Sequence, residues 1–311
     1  MNARQTIFRL ALILIPLSTL NATESIAQSS RWKNQVSITT DANYRYITSN
    51  GIPNHRTGQF PNQNNPNTIA PQQHAFKVPV NPKKASRTTA LGLWPFGIAT
   101  NGIPFDPGAM EFYKRDRNSG WQYEAMSGRI NLGLDFNNAH VQPGGAYHYH
   151  AIPPFTVPTS PQPNQMILAG YAADGFPIYV KFGYSNASDM ASALKPMRSS
   201  YRLKSGTRPS SPGGTYDGTF IEDYEYVRGA GDLDECNGKF GVTPQHPKGI
   251  YHYFLTDAYP FIPRMFRGKP DLSFVRRGPP QGGGPGGRRP PPNSGFPPRP
   301  DQRDPNRPPP P

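Results

Sequence analysis

The sequence predicts a mainly β fold: a sandwich- or barrel-like domain with an internally duplicated β-unit and a few short helices. Three observations carry this. The chain holds 39 Pro and 31 Gly in 311 residues, too many breakers for a helical bundle, since an interior proline costs a helix about 3 kcal/mol. Turn dipeptides recur at Asn50-Gly51, Asn101-Gly102, Gly144-Gly145, Asp174-Gly175, Gly213-Gly214 and Asn237-Gly238, with short alternating aromatic runs between them. And two blocks of sequence repeat in the same order.

From the start of the chain, Arg4 and Arg9 flank the beginning of an apolar run, Leu10 to Leu20, and Ser25 and Ala27 place small residues at the −3 and −1 positions. This is the pattern of a signal peptide over 1–27, cleaved before Gln28; left uncleaved, the same run would act as an anchor. No later segment reaches about 18 consecutive apolar residues, so no transmembrane segment is expected in the mature chain. The expected location is secreted or periplasmic. One cysteine excludes an intramolecular disulfide framework.

The body, 28–275, carries the repeat. Gly97-Ile-Ala-Thr-Asn-Gly-Ile-Pro-Phe-Asp106 matches Gly170-Tyr-Ala-Ala-Asp-Gly-Phe-Pro-Ile-Tyr179. Asp135-Phe-Asn-Asn138 followed by Gly145-Ala-Tyr-His-Tyr-His150 matches Asp234-Glu-Cys-Asn237 followed by Gly249-Ile-Tyr-His-Tyr-Phe254. The pseudo-repeats run over about 97–150 and 170–254, with Asn50 to Pro53 as a degenerate third copy of the turn. Two short helices are expected, at Pro107–Arg115 and at Ser188–Leu194 with Ser188 as its cap. Duplicated units pack about a pseudo-two-fold axis, which would bring His148 and His252 towards a common seam.

The chemistry concentrates in the Tyr-His-Tyr-His stretch. Alternation along a strand puts Tyr147 and Tyr149 on one face and His148 and His150 on the other. Two imidazoles about 6.6–7 Å apart along a strand can reach one ion at about 2.0–2.1 Å from each nitrogen. A hairpin closed by Pro143, Gly144 and Gly145 would return His140 beside them, and His252 or a carboxylate (Asp135, Asp174 or Asp234) could complete the set. Copper or zinc is the expected cofactor. The other reading of the same residues is a half-buried aromatic strand whose histidines face solvent or bond the backbone. His55, His74 and His246 are expected to be ordinary surface histidines.

Cys236 sits beside two carboxylates in Leu233-Asp-Glu-Cys-Asn-Gly238. Three roles fit it: a soft ligand for copper or zinc, a small buried hydrophobe, or half of an intermolecular disulfide. Asp174 reads first as a turn residue and second as a site residue. There is no His-Glu-x-x-His, Gly-x-Ser-x-Gly, P-loop or dinucleotide fingerprint.

The last segment, 276–311, has 14 Pro, 7 Gly and 7 Arg against 2 Asp. It cannot bury enough surface to offset its ordering entropy, so a disordered, partly polyproline-like tail is expected, able to bind polyanions. Of the formal charge of +13, the tail carries +5, and the +7 of the body is spread rather than clustered on one element, which argues against nucleic acid. The expected partner is a small ligand or a cell-surface polymer. Two alternatives to metal binding stand beside it: a non-catalytic module for an anionic or carbohydrate ligand, and a structural cell-surface protein.

Tyr147-His-Tyr-His150, with Leu132-Gly-Leu-Asp-Phe-Asn-Asn-Ala-His-Val-Gln-Pro143, Trp121-Gln-Tyr-Glu-Ala125, Ala173-Asp-Gly-Phe-Pro-Ile-Tyr179 and Leu233-Asp-Glu-Cys-Asn-Gly238, resembles the YHYH domain family of secreted bacterial proteins. The resemblance spans roughly Asn50 to Arg267. It implies the family's fold rather than an activity, and it groups His140, His148, His150, Asp174 and Cys236 as one constellation. Pro247-Lys-Gly-Ile-Tyr-His-Tyr-Phe254 is more weakly similar to a stretch of phosphatidylethanolamine-binding proteins, which are β-sandwiches with a small anion pocket.

Overall fold

The computed structural model describes residues 32–156 and 164–275. The expected signal peptide and the Pro/Arg tail lie outside the described residues. The described part opens with β1 (Val36–Thr40), β2 (Tyr44–Ser49) and β3 (His74–Pro79), an antiparallel three-stranded sheet, and continues into β4 (Lys84–Ala90). A first unit follows: β5 (Gly97–Ala99) and β6 (Pro104–Phe105), an excursion carrying β7 (Gly108–Phe112) and β8 (Gln122–Glu124), then β9 (Ala139–Val141) and β10 (Tyr147–Tyr149). The second unit has the same plan. It runs through β11 (Ile167–Ala172) and β12 (Pro177–Val180), then an excursion with β13 (Phe182–Tyr184), β14 (Leu194–Pro196), β15 (Tyr201–Leu203) and β16 (Tyr224–Tyr226). It closes with β17 (Gly238–Thr243) and β18 (His246–Leu255), after which β19 (Met265–Gly268) pairs back onto β4. Among the described residues the fold is mainly β in several sheets, none closed into a barrel. Among the described residues no helix is long and apolar enough to cross a membrane.

The two units share one eight-stranded sheet of order β17-β18-β12-β11-β5-β6-β10-β9. Read outwards from its centre, each half is the same: hairpin strands, then a parallel neighbour, then its antiparallel partner. At the centre, Gly97 faces Ala172, Ile98 faces Tyr171 and Ala99 faces Gly170. Exchanging the copies maps this pairing onto itself. The flanking bonds obey the same symmetry, Ala173 N to Phe96 O and Thr100 N to Ala169 O, both 2.9 Å. Gly97 and Gly170 allow the close approach. A Cβ on the first would lie 2.5 Å from Tyr171 O, and one on the second 2.1 Å from Ile98 O.

This arrangement corrects one expectation. His148 and His252 do not meet at a seam, because the seam is the β5–β11 pair. Strands β6, β5, β11 and β12 lie between β10 and β18, about 24 Å of sheet at the usual strand spacing. The Asn50 to Pro53 copy is a copy of the turn alone. Ile52, Ile103 and Phe176 each donate their N–H to the Asn or Asp side chain two residues back, at 3.2, 3.2 and 3.4 Å, but the first turn leaves β2 in the separate three-stranded sheet.

Neither expected helix forms. Pro107–Arg115 becomes β7, paired with β8, and a short 3-10 turn at Tyr113–Arg115. Lys114 and Arg115 have φ of 53° and 60°, which a right-handed helix does not accept. At Ser188–Leu194 local side-chain bonds replace the helix ladder: Ser188 N donates to Asn186 Oδ1 at 3.0 Å and Ala191 N to Asp189 Oδ1 at 2.8 Å.

One core cluster joins Ile47, Phe76 and Val78 of the three-stranded sheet to Ile98, Phe105, Tyr147, Tyr149 and Tyr253 of the large one. The packing of one sheet on another is sandwich-like. The opposite face of the large sheet is covered by the excursions, each with its own small cluster. Ala109, Ala125 and Leu132 serve the first unit, and Tyr184, Met197, Leu233 and Phe254 are among the second's.

Candidate metal centre

The site is built on the β9–β10 hairpin. Gln142 N bonds Ala146 O and Gly145 N bonds Gln142 O, both at 2.9 Å, closing the loop. Gly145 has φ +89°, and a Cβ there would lie 2.5 Å from that of Ala70, so the turn needs glycine. The resulting register sets His140 directly opposite His148. Tyr147 and Tyr149 enter the main core, and the alternate side chains, His148 and His150, turn to the other face with His140.

The three imidazoles form a near-equilateral triangle, with centroids 4.7 Å (His140–His148), 4.8 Å (His140–His150) and 4.7 Å (His148–His150) apart. Each Nδ1 faces a main-chain carbonyl: His140 to Leu132 O at 2.8 Å, His148 to Ala146 O at 3.3 Å and His150 to Pro107 O at 3.4 Å. The Nε2 atoms of His148 and His150 are 3.0 Å apart. One ring nitrogen from each histidine lies within 4.8 Å of the other two. Two imidazole nitrogens bound to one ion at about 2.0–2.1 Å stand about 3–3.4 Å apart, so the His148–His150 pair already has the spacing of two ligands.

Burial tunes the rings for this chemistry. Desolvation lowers the pKa of His140, against the raising pull of Leu132 O and of the Glu111, Asp106 and Asp135 carboxylates. His150 is pushed well below its ordinary value, by burial first and then by the charges of His148, His140 and Arg264. A neutral imidazole keeps the lone pair that a metal needs.

The supporting shell is specific. Arg264 Nη1 donates to Pro107 O at 3.0 Å, the carbonyl that faces His150, and its Nη2 donates to Glu124 Oε2 at 2.6 Å. Glu124 is fully buried; burial raises its pKa and the Arg264 charge opposes the rise. On the tyrosine face, Tyr147 OH donates to Asp135 Oδ2 at 2.8 Å, and Tyr149 OH bonds Asn101 Nδ2 at 2.9 Å and His55 Nε2 at 2.7 Å. Burial pushes both phenols upwards, so they remain neutral anchors.

Of the remaining candidate residues, Asp135 lies in the first unit on the tyrosine face, and the others lie in the second unit, away from the triad. His252 sits on β18, its Nδ1 facing Ile250 O at 3.0 Å and its ring edge-on to Tyr179 and Phe254. Asp174 is buried in the β11–β12 turn, where its Oδ2 accepts from Tyr253 OH at 2.5 Å and Gly268 N at 2.8 Å. Desolvation raises its pKa to about 6. Cys236 is buried in the main core, where desolvation and then Asp234 and Glu235 push the thiol far up. Asp135 and Asp234 each accept a tyrosine hydroxyl of their own unit. The single constellation implied by the resemblance is therefore two sets, one per repeat. Because the family signatures run through both copies, sequence proximity to a signature does not mean proximity in space.

Three supporting residues escaped the sequence reading. Asp106, 2% exposed, follows Phe105, whose partner across β6–β10 is Tyr149. By alternation it shares the histidine face, and its Oδ2 accepts from Gln142 Nε2 at 2.9 Å. Its signal was the end of the repeat, where Asp106 matches Tyr179. Glu124 lies within the Trp121 to Ala125 signature, which gives it no role, and Arg264 is distant in sequence from the triad and carries no local signal. His74, expected on the surface, opens β3 with a buried Nε2 and a pKa lowered by burial to about 4.

A family model described as YHYH protein matches residues 75–268. No curated protein and no solved structure matches the chain. The chain belongs to the YHYH protein family.

Proposed function

We propose that this protein is exported and binds one transition-metal ion, copper or zinc, through His140, His148 and His150. The observation that carries the reading is the orientation of the rings. Each Nδ1 faces a carbonyl, and the Nε2 atoms of His148 and His150 approach to 3.0 Å. A neutral imidazole that donates from Nδ1 presents only a lone pair at Nε2. Two such lone pairs face one another when a cation lies between them. An all-nitrogen set suits zinc or copper, and carbonyl-anchored Nδ1 atoms are the usual support for ligating histidines. Three protein ligands leave a coordination position for water or a small ligand. Asp106 and Glu111 supply negative charge near His140.

The test is elemental analysis of the purified full chain together with titration of copper and zinc into chelator-treated protein. One ion per chain is expected, lost in His148→Ala/His150→Ala with the circular dichroism unchanged. A well-folded wild-type chain that takes up neither metal overturns the proposal, because the pair would then share a proton rather than an ion. Export rests on the Arg4 to Ala27 pattern. An N-terminus at Gln28 is expected on protein recovered outside the cytoplasm, and an intact Met1 on cytoplasmic protein overturns it.

A further inference from the structure

The second unit lacks the histidine triad but has an open cleft beside β17, the outer strand of its half of the sheet. We propose that this cleft binds a small organic anion carrying a planar ring, held by Lys84 and Arg267, attracted by the charge of Lys239, and stacked on Phe240. The cleft has a volume of about 380 Å³, within the range of small-ligand sites. Its three cations come from three strands, β4, β17 and β19.

The charge on its walls is unbalanced. Two carboxylates line the cleft, and each is engaged by its own partners. Asp232 binds Lys195 at 2.6 Å, Arg198 Nε at 3.5 Å and Arg198 N at 2.9 Å. Asp234 accepts from Cys236 N at 3.0 Å, Gly238 N at 3.1 Å and Tyr251 OH at 2.8 Å. Among the described residues, neither Lys84 nor Lys239 has a carboxylate within ion-pair distance, and Arg267 reaches Glu235 only at 3.9 Å. The Lys84 ammonium stands 5.3 Å from the Tyr251 ring centroid and 5.6 Å from that of Phe240. Rings fix its position without neutralising it. An anion entering the cleft would gain charge-assisted hydrogen bonds from Lys84 and Arg267, and the Lys239 charge would attract it from the other side of β17.

Phe240 sets the rest of the ligand. It is 57% exposed, a large apolar ring left in water beside unmatched cations. An offset-stacked planar ring would cover it. Lys239 faces His252 as His140 faces His148, so one hairpin position is an imidazole in the first unit and an ammonium in the second.

Phenylphosphonate titrated into the full chain by calorimetry tests the assignment, with inorganic phosphate, phenylacetate and benzyl alcohol as comparisons. Saturable binding at about 1 mM or tighter is expected for phenylphosphonate, and none for benzyl alcohol. Phenylacetate against phenylphosphonate distinguishes a carboxylate from a phosphate-type source. Lys84→Ala/Lys239→Ala should weaken binding at least about tenfold, and Phe240→Ala should weaken phenylphosphonate more than inorganic phosphate. His148→Ala/His150→Ala should leave it unchanged, which separates this site from any phosphonate bound at the triad. The proposal is overturned by absence of saturable binding, by equal affinity in a folded Lys84→Ala/Lys239→Ala chain, or by loss of binding in the triad variant. Equal affinity for inorganic phosphate and phenylphosphonate overturns the ring platform.

Discussion

The Tyr-His-Tyr hairpins of the two units have nearly the same backbone and opposite interiors. Both hang from an Asp-to-Asn loop with the same bonds. Asp135 N meets Ala139 O at 2.8 Å and Asp234 N meets Gly238 O at 2.9 Å. Asn138 and Asn237 both have φ of 56°. The first tyrosine of each strand, Tyr147 or Tyr251, donates to that Asp at 2.8 Å. The second, Tyr149 or Tyr253, bonds the Asn101 or Asp174 side chain of its own turn. The other face keeps one histidine, His148 or His252, and differs at the other three positions. Asp106, His140, His148 and His150 in the first unit correspond to Tyr179, Lys239, His252 and Phe254 in the second. Where one hairpin holds a cluster of nitrogen ligands, the other packs Phe254 with Tyr184, Met197 and Leu233. The tyrosine face is thus the scaffold, and the histidine face is the part free to change chemistry.

The largest expected contrast is in metal content. His148→Ala should abolish copper or zinc uptake, whereas His252→Ala, the same position in the other unit, should leave it intact; equal loss in both would break the comparison. Next is packing. Phe254→Ala should cost about 3–5 kcal/mol in denaturant unfolding, as for other buried aromatics, while His150→Ala in metal-free protein should cost much less.

The pH dependence sharpens the contrast further. Burial lowers the His252 pKa from 6.5 to about 4, so between these values the unfolded chain binds more protons than the folded one. The stability linked to His252 is complete above pH 6.5 and is lost as pH falls towards 4, by up to about 3 kcal/mol. His252→Leu should flatten that slope relative to wild type, measured by melts across pH 4 to 7. A parallel slope in the variant would assign it to other groups such as His74. The smallest effect belongs to Cys236, whose position corresponds to Asn137. Cys236→Ala should cost about 1 kcal/mol and leave metal content unchanged, and a drop in metal would bring the thiol back as a ligand.

Much of this was legible in the residues. Alternation along Tyr147 to His150 fixes which side chains share a face, because the period of a strand is two. Pro143-Gly144-Gly145 fixes a tight turn that returns His140 to His148. The matched blocks fix the plan of two units, since each copy carries the turn residues that shape its own hairpins. The short helices failed because positive-φ residues and Asx turns outcompeted a weak helical pattern.

The tertiary structure decided the rest. The pseudo-two-fold axis runs between β5 and β11, so the two histidine strands are held apart by four others, and no spacing in the sequence encodes which strands become central. It also decided that Cys236 and Asp174 serve the second unit, and that Arg264, paired with Glu124, reaches back to the carbonyl facing His150. Local pattern sets the direction of a side chain, because that depends on backbone geometry over a few residues. Which side chains meet depends on contacts between segments more than a hundred residues apart, and those exist only once the sheet has formed.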